Sequence, residues 1–309
     1  MTGPLAGVLA IMGGFVAAGA AGGIVYAATA GRRPGAPATA RTIFGRLLSY
    51  AVLAALLGAA ALLGVAGVAL FGAVLGWLGL REWANLTDLP RHHRVALAIA
   101  NGVIFVAVAL RGVAATEFLV PGIVFAGILW PVLRADTTRG ARDLAYAALG
   151  CLYLPALLAH APALVVDRGE TGAALFVGLA LATAASDVGA YVVGRRFGRT
   201  KLAPTLSPGK TRAGVVGNVI GAALALAVLG PVLVEGLPHG VVALALLVPV
   251  VAIGSVWGDL FESAIKREVH VKDAGALLPG FGGILDRIDS LLLVLPLSFW
   301  LLRIVELVP

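Results

Sequence analysis

The sequence predicts an all-α, polytopic integral membrane protein with about nine or ten transmembrane helices and a polar site that faces the cytoplasm. Of the 309 residues, 60% are hydrophobic and only 13% are charged, whereas a soluble globular protein is about 25% charged. The 41 glycines suit close helix–helix contact in lipid. Although the net charge is +7, the basic residues fall in short segments between apolar runs. We therefore expect membrane lipids, and no nucleic acid, as partners.

Ten apolar runs predict the individual helices. Several runs are shorter than the ~20 residues that cross ~30 Å of bilayer. Residues 47–80 fit either two helices broken near Gly64 or one long tilted helix. The first run is too long for the core of a signal peptide and predicts a retained helix. The runs lie near residues 5–28, 47–63, 65–80, 95–110, 118–133, 144–166, 172–193, 214–234, 240–260 and 285–305.

The basic residues predict the orientation of these helices. Twenty of the 23 Lys and Arg residues fall in five connecting segments, and alternation of ten spans places all five on one face. Since basic residues favour the cytoplasmic side, this face is predicted to be cytoplasmic, with both termini outside. No linker interrupts the pattern, so residues 1–309 are predicted to form one membrane domain. The five segments are 31–46, 81–94, 134–143, 194–212 and 262–289, and the opposite face keeps Arg111, Arg168 and Arg303.

Residues 254–290 interrupt the apolar pattern with ten charged side chains. A charged side chain at the centre of a bilayer costs about 2.5–3.5 kcal/mol on insertion scales, so such a cluster indicates a function. Asp259, Glu262 and Lys266 stand at positions i, i+3 and i+7, which places all three on one face of a helix.

A second pair of carboxylates follows a flexible turn. Asp286 and Asp289 repeat the i, i+3 spacing at the start of the last apolar run, and the sequence PGFGG at 279–283 lets the two helices meet. Converging carboxylates need a counter-charge, and Mg²⁺ prefers oxygen ligands. Cys ligands and paired His ligands for zinc are absent from residues 254–290. The alternative is a set of structural Asp–Arg pairs, but a basic segment on the same face favours the metal.

Two features upstream complete the candidate site. Asp187 lies near the end of an apolar run, where an acidic residue is a functional candidate, and Tyr191 shares its helix face. The loop 194–212 carries six cations and a Ser-Pro-Gly turn before Lys-Thr, residues 207–211, just ahead of a helix. Backbone N–H groups that open a helix bind phosphate. The loop is not a P-loop, because Pro204 stands where that motif needs glycine.

Together these features predict a cytoplasm-facing site for a metal–polyphosphate ligand at membrane depth. Phosphoryl or nucleotidyl transfer fits such a site, since this chemistry mainly needs positioning and charge neutralisation. An acceptor that reaches the site laterally from the bilayer would be a lipid phosphate.

Residues 263–289 resemble the signature S-x-x-K-R-x4-K-D-x-G-x3-P-G-H-G-G-x2-D-R-x-D of phosphatidate cytidylyltransferases, the CDP-diacylglycerol synthases. The chain departs from it at Phe281, where the family has His, and Gly209 replaces a position that is often Lys. The matching residues are Ser263, Lys266, Arg267, Lys272, Asp273, Gly275, Pro279, Gly280, Gly282, Gly283, Asp286, Arg287 and Asp289, and the upstream residues Asp187, Tyr191, Gly194, Arg195, Ser207, Lys210 and Thr211 resemble a second conserved region.

The resemblance implies transfer of the cytidylyl group of CTP to phosphatidic acid, giving CDP-diacylglycerol and pyrophosphate, with Mg²⁺ as cofactor. The number of metal ions, one or two, and the use of a monovalent cation such as K⁺ stay open. It also implies a homodimer in the bacterial inner membrane, with less distinctive helices in 1–180 and the catalytic region in 181–309. The implied metal ligands are Asp259, Asp286 and Asp187; the implied catalytic residues are Asp259, Asp286, Lys266, Arg267, Lys272 and Arg287; the implied substrate-binding residues are Asp187, Tyr191, Ser207, Lys210, Thr211, Glu262, Ser263, Asp273, Gly282, Gly283 and Asp289.

Three alternatives stay open at the level of sequence. A transporter would use the same intramembrane charges, but it predicts interrupted helices in both halves of the chain, and the polar groups here concentrate after residue 186. A related enzyme, similar to CDP-archaeol synthases or polyprenol kinases, would act on another lipid. A weakened paralogue is suggested by Phe281.

Overall fold

The computed structural model of this chain describes residues 3–30, 36–133, 138–271, 274–275 and 282–308. Nearly all of this part is helical, and one short β-hairpin joins two of the helices. The helices are α1 (Pro4–Ala30), α2 (Ala36–Leu62), α3 (Gly64–Leu86), α4 (Arg91–Arg111), α5 (Ala114–Leu133), α6 (Gly140–Cys151), α7 (His160–Phe197), α8 (Arg212–Leu233), α9 (Val241–Glu268) and α10 (Leu285–Glu306), with a π-helical turn at Leu152–Ala156 and a 3₁₀ turn at Val234–Gly236.

Within the described ranges, seven helical stretches are long and apolar enough to cross a membrane. One of them, Gly140–Phe197, has 58 residues and bends at Gly169, whose backbone leaves the helical region (φ 57°, ψ −128°). Its two halves correspond to two of the predicted runs. The shorter apolar helices Leu47–Leu62 and Ala114–Leu129 account for the remaining spans of the predicted ten. The all-α, polytopic fold is therefore confirmed.

The ambiguous stretch 47–80 forms two helices. Helix α2 ends at Leu62 and α3 begins at Gly64, which has a left-handed backbone (φ 63°). Glycine adopts this conformation without the steric cost of a Cβ atom, so it ends one helix and starts the next. The two helices then pack against each other, as the alternation of ten spans requires.

The predicted loop 194–212 is wrong in its local structure. Helix α7 continues to Phe197, and the following residues form a hairpin of β1 (Lys201–Ala203) and β2 (Ser207–Thr211), paired antiparallel. The Ser-Pro-Gly sequence belongs to β2, and the turn lies at 204–206. Charge and turn composition indicated a turn just ahead of a helix, but they do not reveal which residues pair across that turn. The phosphate-binding role of the segment stays a prediction.

Contacts between the predicted cytoplasmic segments gather them at one end of the bundle. Arg139 forms an ion pair with Asp88 at 2.9 Å, which joins two of these segments. Arg267 Nε donates to the carbonyl oxygen of Leu206 at 3.2 Å, which joins two others. Four of the five basic segments therefore contact one another in pairs, as the alternation of spans predicts.

Two of the basic residues predicted for the opposite face lie at the other end of the bundle. Arg168 pairs with Glu306 at 2.7 Å, and Arg303 pairs with Asp167 at 2.7 Å. These pairs join the bend of α7 to the last turns of α10. The assignment of either end to the cytoplasm stays a prediction.

Close packing of α7 on α8 positions one wall of the polar site. A Cβ atom on Gly189 would lie 2.2 Å from the carbonyl oxygen of Gly217, so the two backbones meet only because both residues are glycine. Nearby, Ser186 Oγ donates to Asn218 Oδ1 at 2.6 Å. This contact is buried and holds the turn of α7 that carries Asp187.

Candidate active site

A cavity of about 770 Å³ lies between α7, the hairpin, α8, α9 and α10. Its volume falls in the range of small-molecule sites, about 300–1,000 Å³. Both acidic and basic side chains line it. The predicted site residues on its wall are Asp187, Tyr191, Ser207, Lys210, Thr211, Asp259, Glu262, Lys266, Asp286, Arg287 and Asp289.

Three carboxylates reach this cavity from three different helices. Asp187 comes from α7, Asp259 from α9 and Asp289 from α10, and they lie close enough for their negative charges to interact. Like charges repel strongly where water is partly excluded. Another acid of the cavity, Glu262, has a buried Oε1 atom without a hydrogen-bond partner in the described part of the chain. This wall therefore favours a bound cation.

Asp259 is held by a lysine from the hairpin and a serine from its own helix. Lys210 Nζ lies 2.9 Å from Asp259 Oδ2, and Ser263 Oγ donates to Oδ1 at 3.2 Å. The Asp259 side chain is 37% exposed, so solvent or a ligand reaches it. Ser263 does not line the cavity; its hydroxyl orients the carboxylate that does.

Asp286 is the most completely bonded carboxylate of the site. Its oxygens accept from Lys266 Nζ at 2.7 Å, from the amide of Gly283 at 2.8 Å and from the amide of Ala274 at 3.2 Å. Lys266 also pairs with Glu262, one turn away on α9. The two helices thus converge through an ammonium group, which supplies part of the counter-charge expected from a metal.

The start of α8 closes the cavity on the hairpin side. Thr211 is the N-cap of α8, and its Oγ1 accepts from the amide of Gly214 at 3.1 Å, as capping residues commonly do. Gly198 lies against this hydroxyl, since a Cβ atom there would be 2.5 Å from Thr211 Oγ1. Arg195 Nη1 donates to the Tyr191 hydroxyl at 2.7 Å. Arg195 thus lies on the cavity wall, within the segment that the sequence predicts to bind phosphate.

Several predicted site residues lie elsewhere. Arg267 is exposed and donates to the carbonyls of Leu206 and Val271, so it braces the hairpin turn and does not line the cavity. Gly282 (φ 85°) and Gly283 form the turn before α10. Lys272, Asp273 and Phe281, together with Pro279 and Gly280 of the signature, lie outside the described residues.

Glu82 is a buried acid near this site that the sequence did not indicate. It lies on α3, is 4% exposed, and accepts from the amides of Ile284 at 3.0 Å and Leu285 at 2.9 Å. Residue 82 lies in the predicted connecting segment 81–94, and α3 continues into that segment as far as Leu86. An acid at the end of an apolar run was the available signal, but its partners are 202 and 203 residues away.

The acids fit a metal that arrives together with a polyphosphate. Among the described residues, no group of three or more His, Cys, Asp or Glu is arranged to hold a metal ion by itself. Mg²⁺, however, usually keeps several waters and binds one or two carboxylates plus substrate phosphates. The oxygen-only wall of Asp187, Asp259 and Asp289 matches that preference. The predicted Mg²⁺ and its ligands stay a prediction.

Fold and cavity together define a multi-pass membrane protein with a charged cavity suited to a phosphorylated ligand. A sequence profile described as the cytidylyltransferase family matches residues 44–305, and this chain belongs to that family.

Curated relatives agree with this assignment. The chain is 36% identical to the phosphatidate cytidylyltransferase of Brucella suis over 241 residues, which are 74% of this chain and 81% of the relative. It is 35% identical over 174 residues to that of Thermotoga maritima, covering 55% of this chain and 63% of the relative. It is 41% identical over 134 residues to the uncharacterized protein YnbB of Escherichia coli, covering 43% of this chain and 44% of the relative. The chain thus spans less than two thirds of the last two relatives.

Proposed function

We propose that this protein transfers the cytidylyl group of CTP to phosphatidic acid, giving CDP-diacylglycerol and pyrophosphate. The observation that carries the proposal is the charge pattern of one cavity, where acids from α7, α9 and α10 stand among Lys201, Lys210, Lys266 and Arg287. The triphosphate of CTP and the lipid phosphate are both anionic, so the cations bind them while the acids bind a metal. The names of the relatives support this substrate pair.

The reaction needs no nucleophilic side chain. An oxygen of the lipid phosphate attacks the α-phosphorus of CTP, a new P–O bond forms, and the bond from the α-phosphorus to the oxygen that bridges to the β-phosphorus breaks. Pyrophosphate leaves with that oxygen. The protein contributes position and charge, which is the main requirement of phosphoryl-type transfer.

Lys210 and Lys266 supply positive charge for the phosphates of the two substrates. Lys210 pairs with Asp259 at 2.9 Å and is only 23% exposed. When a phosphate enters, the Lys210 ammonium exchanges a carboxylate oxygen for a phosphate oxygen, which frees the Asp259 carboxylate. Lys266 keeps its partners Glu262 and Asp286 and presents its one remaining N–H bond to the cavity.

The residues that would hold Mg²⁺ are Asp259 and Asp187, with Asp286 as the third predicted ligand. When bound, the metal would neutralise phosphate charge and polarise the α-phosphoryl group. Because Asp286 already accepts three hydrogen bonds, we assign it first to holding Lys266 and the start of α10. Asp259, with its partly exposed side chain, is the principal ligand in this proposal.

The finer predictions on surroundings belong to the same proposal. CTP is a cytosolic nucleotide, so the cavity should open to the cytoplasm of a bacterial inner membrane, in agreement with the excess of Lys and Arg at this end. Phosphatidic acid would enter from the bilayer. The homodimer implied by the family resemblance is checked by the mass of the purified protein in nanodiscs.

The test is an assay of the purified protein in nanodiscs with CTP, phosphatidic acid and Mg²⁺. We expect CDP-diacylglycerol and pyrophosphate in equal amounts. The Asp259→Asn variant should lose about 10²–10³-fold in kcat/KM, the scale for one electrostatic group at a reacting centre.

Asp88→Asn is the matched control. Asp88 is exposed and pairs with Arg139 outside the cavity, and Asn tolerates its left-handed backbone (φ 53°), so activity should not change. Full activity of Asp259→Asn would refute its role as a ligand. Product with an archaeol-type phosphate or a polyprenol, but none with phosphatidic acid, would change the lipid. No product with any lipid, together with ion flux in vesicles, would indicate a transporter.

A further inference from the structure

Glu82 makes an unusual long-range contact with the start of α10. Its carboxylate accepts from the backbone amides of Ile284 at 3.0 Å and Leu285 at 2.9 Å. The first amides of a helix have no acceptor within that helix, and the helix dipole favours a negative charge there. A side chain from α3 thus performs a function that a local capping residue usually performs.

The backbone around this carboxylate is shaped to admit it. A Cβ atom on Gly275 would lie 2.5 Å from Glu82 Oε1, and one on Gly283 would lie 2.5 Å from Oε2. Both glycines belong to the signature segment between α9 and α10. The close approach of Glu82 explains why neither position carries a side chain. Glu82 is 4% exposed, and the hydrogen bonds that it accepts within the described chain come from backbone amides.

This contact lies directly before the charged turn of α10. Asp286 and Arg287 follow Leu285 at once, and Asp286 accepts from the amide of Gly283 at 2.8 Å. Because helical geometry fixes the direction of each side chain around the axis, loosening this turn would change the direction in which both side chains point. The positions of Asp286 and Arg287 on the cavity wall therefore depend on α3, a helix that does not line the cavity.

We propose that Glu82 is a positioning residue of the active site, which holds the first turn of α10 so that Asp286 and Arg287 face the cavity. Glu82 itself touches neither substrate. Its kinetic consequence rests on the proposed function, whereas its structural consequence does not, and the two are measured separately.

Hydrogen–deuterium exchange of the full-length protein in nanodiscs tests the contact. In the unmodified protein, the amides of Ile284 and Leu285 should exchange slowly, although first-turn amides are normally unprotected. In Glu82→Gln, which keeps the size but removes the charge and turns an NH₂ group toward one amide, they should exchange at least about tenfold faster. Rapid exchange in the unmodified protein would overturn the proposal without any variant.

Kinetics test the positioning role. Glu82→Gln should lower kcat by about 10–100-fold and raise the half-saturating Mg²⁺ concentration by a similar factor, the scale for residues that orient metal-site groups. A merely structural role would reduce the amount of native protein and leave the half-saturating concentration unchanged. Glu82→Asp, which keeps the charge but is one methylene shorter, should restore part of the loss.

Glu170→Gln is the matched control. Glu170 Oε1 also accepts from a backbone amide at the start of a helix, that of Leu5 in α1 at 3.4 Å, but Glu170 is exposed. It lies about 25 Å along α7 from Asp187, so exchange at α10 and kinetics should not change. Gly275→Ala is a second variant, because its new methyl group pushes on the same carboxylate and should mimic Glu82→Gln.

The outcomes separate the two proposals. If the unmodified protein makes no CDP-diacylglycerol but exchange behaves as expected, the proposed function fails and the contact stands. If exchange accelerates in Glu82→Gln while kcat and the Mg²⁺ dependence are unchanged, the positioning role is refuted and Glu82 is a structural cap.

Discussion

Replacing Lys266 with Met removes the charge that joins α9 to α10 while keeping most of the side-chain length. Lys266 Nζ contacts Glu262 Oε2 and Asp286 Oδ1. The side chains are 12%, 2% and 10% exposed for Lys266, Glu262 and Asp286, so water does little to screen them. The variant leaves two buried carboxylates without their common partner.

The size of the effect follows from burial and from the contacts that remain. Removing one member of a buried ion pair costs about 3–5 kcal/mol, because the other charge is left uncompensated. Asp286 keeps the amides of Gly283 and Ala274, which offset part of the loss. We therefore expect Lys266→Met to lower the free energy of unfolding by about 3 kcal/mol, at the lower end of that range.

Unfolding by SDS in mixed micelles, followed by circular dichroism, measures this difference. Arg139→Met is the matched control: it breaks the Arg139–Asp88 pair at a similar distance, but those side chains are 51% and 74% exposed, so solvent screens the pair and its loss should cost much less than the loss of Lys266. Adding Glu262→Gln to Lys266→Met removes one unpaired charge and should recover part of the stability.

A Lys266→Met protein no less stable than Arg139→Met would refute the reasoning that this ammonium group compensates buried charge. So would an additional loss on adding Glu262→Gln. Loss of activity in Lys266→Met is expected as well, but it does not decide this point, since Lys266 also lines the cavity.

Two further predictions concern packing and the departure from the family signature. Gly189→Ala should lower the free energy of unfolding by about 1–3 kcal/mol, the usual cost of overpacking, because its methyl group would meet the carbonyl oxygen of Gly217. Gly102→Ala is the control, since nothing lies within 4 Å of its new atom. Equal stability of the two variants in the same titration would contradict the close packing. Phe281→His should leave cytidylyl transfer equal or higher, measured as kcat/KM for CTP, and a collapse of activity would mean that the pocket has been rebuilt around the ring.

Local patterns determined most of the architecture. Apolar length marks a helix that crosses a membrane, so the ten runs located the helices, and the break near Gly64 followed from the alternation of basic segments. Helical spacing also placed Asp259, Glu262 and Lys266 on one face of α9, all three on the cavity wall. These inferences succeed because the information lies within a few turns of one helix.

Partnership between distant segments was beyond the reach of these patterns. The sequence indicated that Asp259 and Asp286 need a counter-charge. It did not indicate that Lys210 and Lys266 lie beside them. Which lysine meets which carboxylate depends on how closely the helices and the hairpin pack. The hairpin itself was missed for the same reason, since strand pairing joins residues on both sides of a turn.

What the sequence alone determined is a multi-helix membrane protein whose charged residues gather in a few segments, above all residues 254–290, because composition and short-range spacing carry that information. What only the tertiary structure decided is how that segment is held. Glu82 lies in an unremarkable stretch of α3 and becomes meaningful only where the fold sets its carboxylate against the first amides of α10. A hydrogen bond forms between neighbours in space, and in this protein those neighbours lie 202 and 203 residues apart in the chain.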